Sequence, residues 1–176
     1  MNVLAICGSL RARSSNLAAL QAAARLAPAP MEVVLYRGLA ELPPFNPDLD
    51  GDDPPSPVVA LRRQIGDAQA LLICSPEYAR GVAGVLKNAL DWLVSSAEFP
   101  GKPVAVINAS QRATHADAAL RLTLQTMSAQ LVEDASIMLP LLGRNLDADG
   151  IVADADLSAA LRSALVALCR AVESAR

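Results

Sequence analysis

Residues 3–16 read Val3-Leu4-Ala5-Ile6-Cys7-Gly8-Ser9-Leu10-Arg11-Ala12-Arg13-Ser14-Ser15-Asn16. The uninterrupted apolar run Val3–Cys7 predicts a short buried strand, and Gly8 ends it in a tight turn. Ser14 or Ser15 then caps a helix predicted over 14–26, with Leu17, Leu20 and Ala24 along one face. A buried strand feeding directly into a helix is the opening unit of an α/β fold.

Outward from that unit the same alternation continues. Met31–Tyr36 reads as a second strand, with Pro28 and Pro30 punctuating the connection. The Pro-, Asp- and Gly-rich stretch 38–57 reads as a long loop, and long loops in compact domains are often functional. A helix over 58–67 leads to the strand Ala70–Cys74 (ALLIC), stopped by Pro76. Apolar residues at 82, 86, 89, 90 and 93 predict an amphipathic helix over 82–94. A strand follows at Val104–Ile107, a helix at Ala116–Gln130, and a strand at Ala135–Leu139 before Pro140. Leu157, Leu161, Leu165, Leu168 and Val172 then form the stripe of a terminal helix.

Five short strands separated by helices predict a doubly wound parallel sheet with helices on both faces. With that number of strands the flavodoxin-like order 2-1-3-4-5 is favoured over a six-stranded Rossmann sheet. In that order strands 1 and 3 are neighbours, and the crevice at their carboxyl ends is the switch point that holds FMN in flavodoxin. The two unusual loops of this chain follow predicted strands 1 and 3.

At 176 residues the chain is expected to form one domain spanning 1–176. It is 53% apolar but only 3% aromatic, so the core is aliphatic. A formal charge of −3 gives no basic excess for phosphate backbones, and no nucleic-acid partner is expected. No signal-peptide pattern precedes the first strand, and no apolar run reaches transmembrane length, so no membrane association is expected. The three cysteines are widely spaced and lack a C-x-x-C pattern, which fits reduced thiols in a cytoplasmic protein.

The stretch Gly8–Asn16 joins short hydroxyl donors and Arg11 and Arg13 to the start of a helix, a composition suited to a phosphate dianion. It is neither a Walker A loop nor G-x-G-x-x-G, which disfavours ATP and a dinucleotide at this turn. The competing reading is a serine-rich capping turn with two solvated arginines. In the second loop, Ser75-Pro76-Glu77-Tyr78-Ala79-Arg80-Gly81, Pro76 stiffens the exit from the sheet and Gly81 lets backbone approach a ligand. Backbone groups there can bond a flat ring edge-on, while Tyr78 reads equally as a ring contact or a structural tyrosine.

Two segments resemble the NAD(P)H-dependent FMN reductases of flavodoxin-like fold, which include quinone, chromate and azo reductases. Gly8–Asn16 is similar to their G-S-x-R-x-x-S-x-N loop. Ser75–Ala79 with Gly84–Trp92 is similar to S/T-P-E-Y-N-x-x-x-P-G-x-L-K-N-A-I-D-W. The resemblance implies that Ser9, Arg11, Ser14, Ser15 and Asn16 hold an FMN phosphate. It sets Pro76, Glu77, Tyr78, Ala79, Arg80 and Gly81 along the isoalloxazine edge, with Ser110 of a third loop as a further flavin contact. NAD(P)H is then the co-substrate, and a quinone, flavin, azo compound or metal oxyanion the acceptor. A homodimer or homotetramer is also implied. The chain departs from the pattern at Ala79, where Asn is usual, at Ala83, where Pro is usual, and at Gln111-Arg112-Ala113, where a Pro-Gly-type turn is usual. The alternative is a flavodoxin-type electron carrier without NAD(P)H activity of its own.

No catalytic side chain is assigned, since hydride transfer between nicotinamide and flavin needs no protein acid or base. No metal ligand is assigned either. Asn145–Gly150 with Asp156 imitates an EF-hand loop, but Pro140 and Gly143 break the helix that would enter it, so an acidic surface turn is expected. His115, the sole histidine, reads as a cap or first-turn residue of the following helix. Lys87, Asn88, Asp91 and Trp92 read as a supporting cluster, an oligomer contact, or, for Lys87 and Asp91, an i,i+4 ion pair.

Overall fold

The computed structural model describes residues 1–174. Its elements run β1 (Asn2–Cys7), α1 (Ser15–Leu26), β2 (Glu32–Leu35), α2 (Ser56–Asp67), β3 (Ala70–Cys74), β4 (Glu77–Tyr78), β5 (Gly81–Val82), α3 (Gly84–Leu93), β6 (Pro103–Asn108), α4 (Thr114–Thr126), β7 (Gln130–Leu131), β8 (Ile137–Met138), α5 (Ala148–Ala153) and α6 (Ala155–Ser174). The parallel sheet has the order β2-β1-β3-β6, and β7 and β8 both pair with the far side of β6. This is the flavodoxin-like arrangement, with the fifth position filled by two short strands.

Side-chain alternation divides the core in two. Ala5, Leu72, Cys74, Ala105 and Ile107 face a layer that includes Leu20, Leu26, Leu161 and Leu165 of α1 and α6. Leu4, Ile6, Leu71, Ile73 and Val106 face Leu61, Leu90, Trp92 and Leu124 of α2, α3 and α4. Both faces of β3 are therefore covered, and all five of its residues are buried. That double burial is why β1, β3 and β6 read as continuous apolar runs.

Register places Cys7 opposite Cys74, and Cys74 opposite Ile107. The three central strands therefore end level, and their following loops leave the sheet at one height. Gly8 is required there. A Cβ on it would lie 2.3 Å from Ser75 Oγ and 2.8 Å from Ser75 Cβ.

Three departures from the elements read in the sequence have a local cause. The strand predicted at Ala135–Leu139 is split, because the turn Glu133–Ala135 separates β7 from β8. There the Ser136 hydroxyl accepts from Val106 N at 3.1 Å and donates to Val132 O at 2.9 Å, replacing a ladder rung with a side chain. The helix predicted to Gln130 ends at Thr126, because Ser128 turns back at φ 63° and Gln130 joins the sheet. The helix predicted from Val82 begins at Gly84, because Val82 closes a hairpin with Glu77.

Candidate functional site

Ser14 caps α1, its Oγ accepting from Leu17 N at 3.4 Å. Ser9 is buried and its Oγ accepts from Arg11 N at 3.3 Å, so it holds the loop's own shape. Arg11 and Arg13 are exposed and form no ion pair among the described residues. Free amides at the start of a helix, the positive end of its dipole and two uncommitted guanidinium groups are the chemistry that suits an anion.

The loop after β3 is a tight hairpin. β4 and β5 pair Glu77 with Val82 and Tyr78 with Gly81, so Ala79 and Arg80 are its two turn residues. Their φ angles are 49° and 58°, the left-handed conformation that a type I′ turn demands at both positions. The asparagine usual at position 79 tolerates that conformation better than alanine. Ala83 lies at φ −53°, which the proline ring also adopts. Both departures thus sit where the backbone adopts a conformation that the usual residue favours.

The Glu77 carboxylate turns away from the hairpin. Its Oε2 accepts from Ala116 N at 2.9 Å, in the first turn of α4, whose own N-cap, Ala113, has no side-chain acceptor. The third loop is held by Asn108, whose Oδ1 accepts from Ser110 N at 3.0 Å and whose Nδ2 donates to Ala113 O at 3.2 Å. The Ser110 Oγ accepts from Arg112 N at 3.2 Å.

These loops enclose a cleft of about 410 Å³ at the carboxyl ends of β1, β3 and β6. Of the residues singled out in the sequence, Ser15, Asn16, Pro76, Glu77 and Ser110 line it. Ser14 lines an adjoining hollow of about 170 Å³ with Arg13. Ser9 and Arg11 line neither space. Tyr78, Ala79 and Arg80 form the exposed hairpin, and Gly81 is half-buried in it. Ser75, Ala109 and Arg112 also line the cleft from loops read in the sequence, without a contact assigned to them there, and sequence reasoning missed the far wall at Leu142, Gly143 and Asn145. Gly143 and Asn145, at φ 78° and 51°, carry a turn signal but nothing in their spacing ties them to the other loops.

Two thiols lie beneath the cleft. Burial raises the Cys7 thiol, partly offset by the Ser9 main chain and the Ser14 hydroxyl. Cys74 is fully buried and is pushed well above its ordinary range, first by burial and then by Cys7, against an Ala109 main-chain hydrogen bond.

The remaining motif residues are structural. Asn88 bonds Phe45 N at 2.7 Å and Pro43 O at 2.9 Å, and Trp92 Nε1 donates to Pro43 O at 2.8 Å, so they clasp the long loop onto α3. Lys87 and Asp91 form the i,i+4 ion pair. His115 is exposed in the first turn of α4. Asp147 caps α5 by accepting from Gly150 N at 2.9 Å, while Asp149 pairs with Arg25.

A doubly wound sheet with a glycine turn leading from its first strand into a helix and a cleft at its switch point defines the flavodoxin-like class. Residues 1–141 match the NADPH-dependent FMN reductase family, and the chain belongs to that family of FMN- and NAD(P)H-using oxidoreductases. It is similar to an NAD(P)H-dependent FMN reductase of Pseudomonas aeruginosa, 38% identical over 88% of this chain and 85% of the relative. A quinone reductase of Escherichia coli is 37% identical over 62% of this chain and 60% of its own length. Among solved structures, the flavoenzyme NAD(P)H:(acceptor) oxidoreductase of Paracoccus denitrificans superposes with a TM-score of 0.79. It is 29% identical, and the match covers 98% of this chain and 97% of that one. No helix among the described residues is long and apolar enough to cross a membrane.

Proposed function

We propose that this protein is an FMN-dependent NAD(P)H oxidoreductase that delivers electrons to a quinone, free flavin, azo compound or metal oxyanion. The observation that carries this reading is the level ending of β1, β3 and β6, which gathers three loops and the N-terminus of α1 around one cleft. FMN, when bound, supplies hydride acceptance from NAD(P)H at N5 and onward electron transfer. The chain supplies binding and orientation. Ser9, Arg11, Ser14, Ser15 and Asn16 hold the phosphate, where the arginines and the start of α1 offset its charge. Pro76, Glu77, Tyr78, Ala79, Arg80 and Gly81 lie along the ring edge, and Ser110 reaches it from the third loop. With its carboxylate engaged by α4, Glu77 offers the ring its main chain and a rigid hairpin.

The reading includes one flavodoxin-like domain over 1–176, a reducing cytoplasmic setting that suits three free thiols, and a homodimer or homotetramer. The oligomer is supported by Leu10, Tyr78, Met138 and Leu142, each half or more exposed at the carboxyl side of the sheet. To test the function, the purified protein is loaded with FMN and mixed anaerobically with NADH or NADPH, then with benzoquinone. The expected protein is yellow, bleaches with pyridine nucleotide and recovers its colour with the quinone. A yellow protein inert to both nucleotides is an electron carrier instead. Failure to take up FMN at all overturns the reading.

A further inference from the structure

Asn16 is nearly buried at 9% exposure, yet it lines the cleft. A primary amide has an acceptor end and a donor end, and rotation by 180° exchanges them. Which end faces the cleft decides whether Asn16 attracts or repels an anion. Its Oδ1 is taken, because the Cys74 thiol donates to it at 3.2 Å. Its Nδ2 has no protein partner among the described residues.

We propose that Cys74 is a positioning residue, whose thiol donates to Asn16 Oδ1 and so turns the Asn16 Nδ2 into the cleft as a fixed donor for the FMN phosphate. The phosphate rests on the function proposed above; the orientation of Asn16 does not. Cys74 is the last residue of β3, is fully buried, and stands one position before the Ser-Pro-Glu-Tyr motif. The direction of the bond is set by the acceptor, because an amide oxygen has no proton to give and the thiol must donate. Burial keeps the thiol proton in place by disfavouring the thiolate. One side chain at the end of β3 thus reaches the start of α1 through Asn16.

The test uses the full chain, stripped of flavin, in wild-type form and as C74S, C74A, N16A and C74A/N16A. FMN affinity is read by quenching of flavin fluorescence. C74A is expected to bind FMN about three- to tenfold more weakly, the effect of one hydrogen bond. C74S, which keeps a donor, is expected to stay within about twofold of wild type, and C74A/N16A to bind no more weakly than N16A. In parallel, nitrogen-15 spectra of the flavin-free protein follow the Asn16 side-chain amide pair, assigned by its loss in N16A. That pair is expected to shift in C74A and to stay in place in C74S. An unmoved amide pair in C74A overturns the proposal, as does an equal loss of affinity from C74A in the N16A background, which would report packing alone. If wild-type protein does not quench FMN, the functional reading fails, and the amide spectra still decide whether Cys74 orients Asn16.

Discussion

Ala79 and Arg80 at the hairpin tip offer a direct measurement of strain at the site. Both hold φ in the left-handed region, at 49° and 58°, where a Cβ crowds the following carbonyl. That crowding costs about 1–2 kcal/mol per residue. Glycine removes it but adds about 0.5–1 kcal/mol of unfolded-state entropy. Ala79→Gly and Arg80→Gly are each expected to stabilise the protein by about 0.5–1 kcal/mol. For a chain of this size that is roughly 1–4 °C in Tm per substitution. Arg80→Ala is the control, because it removes the side chain and keeps the Cβ; it should leave Tm unchanged. Calorimetry or circular dichroism of flavin-free protein gives the values. If both glycine variants melt at or below the wild-type temperature, the hairpin is not strained in the way argued. The same variants should loosen FMN binding, because a hairpin freed at its tip no longer presents a fixed edge to the ring.

Other perturbations address the tethers around the cleft. Glu77→Ala removes the acceptor for Ala116 N and should cost about 1–2 kcal/mol in urea unfolding; Glu77→Gln keeps an acceptor and should recover about half, and equal losses in the two variants would argue against capping. Gly8→Ala forces a Cβ to within 2.3 Å of Ser75 Oγ and should cost about 1–3 kcal/mol, with FMN affinity reduced; a variant as stable as wild type would contradict the close approach of the two loops. The Asp50 carboxyl is held below its ordinary value of 3.8, first by the Ser95 hydroxyl and then by Arg62. A depressed carboxylate stabilises the fold above that value and ceases to do so as pH falls through its lower folded value. The stability difference between wild type and Asp50→Asn should therefore be largest near neutral pH and vanish in strong acid; a difference independent of pH would exclude the ionic contribution.

The parts of this fold that were legible in the sequence are those whose burial is complete. β1, β3 and β6 are covered on both faces, so each contains a continuous apolar run, and its shortness marks it as strand rather than helix. The fifth strand was read as one piece because nothing local shows that the Ser136 hydroxyl takes a rung of the ladder. The hairpin at 77–82 was hidden for a different reason. Its turn lacks the Asn-Gly signature of type I′, and Val82 falls on the apolar stripe of α3. The cluster of hydroxyls and arginines in 9–16 was legible because it is contiguous in the sequence. The far wall of the cleft at Leu142–Asn145 was not, because only the tertiary fold brings it opposite Asn16 and Ser75.

The exit from β3 is the point where the site's parts are fixed to one another. Gly8 N donates to Cys74 O at 2.8 Å, and the missing Cβ of Gly8 makes room for Ser75. The Cys74 thiol reaches Asn16 at the start of α1, and the Glu77 carboxylate reaches Ala116 at the start of α4. Three residues at this exit, Cys74, Ser75 and Glu77, thereby tie the first loop and the start of α4 to the hairpin before any ligand arrives. A site assembled in this way loses little conformational entropy on binding, so more of its contact energy is available for affinity. The same economy concentrates risk. A single substitution at Gly8, Cys74 or Glu77 alters two loops together, whereas changes at the exposed Arg11 or Arg13 remove charge and leave the geometry in place. FMN binding that weakens without loss of Tm at the arginines, and with loss of Tm at Gly8 and Glu77, is the pattern this arrangement requires.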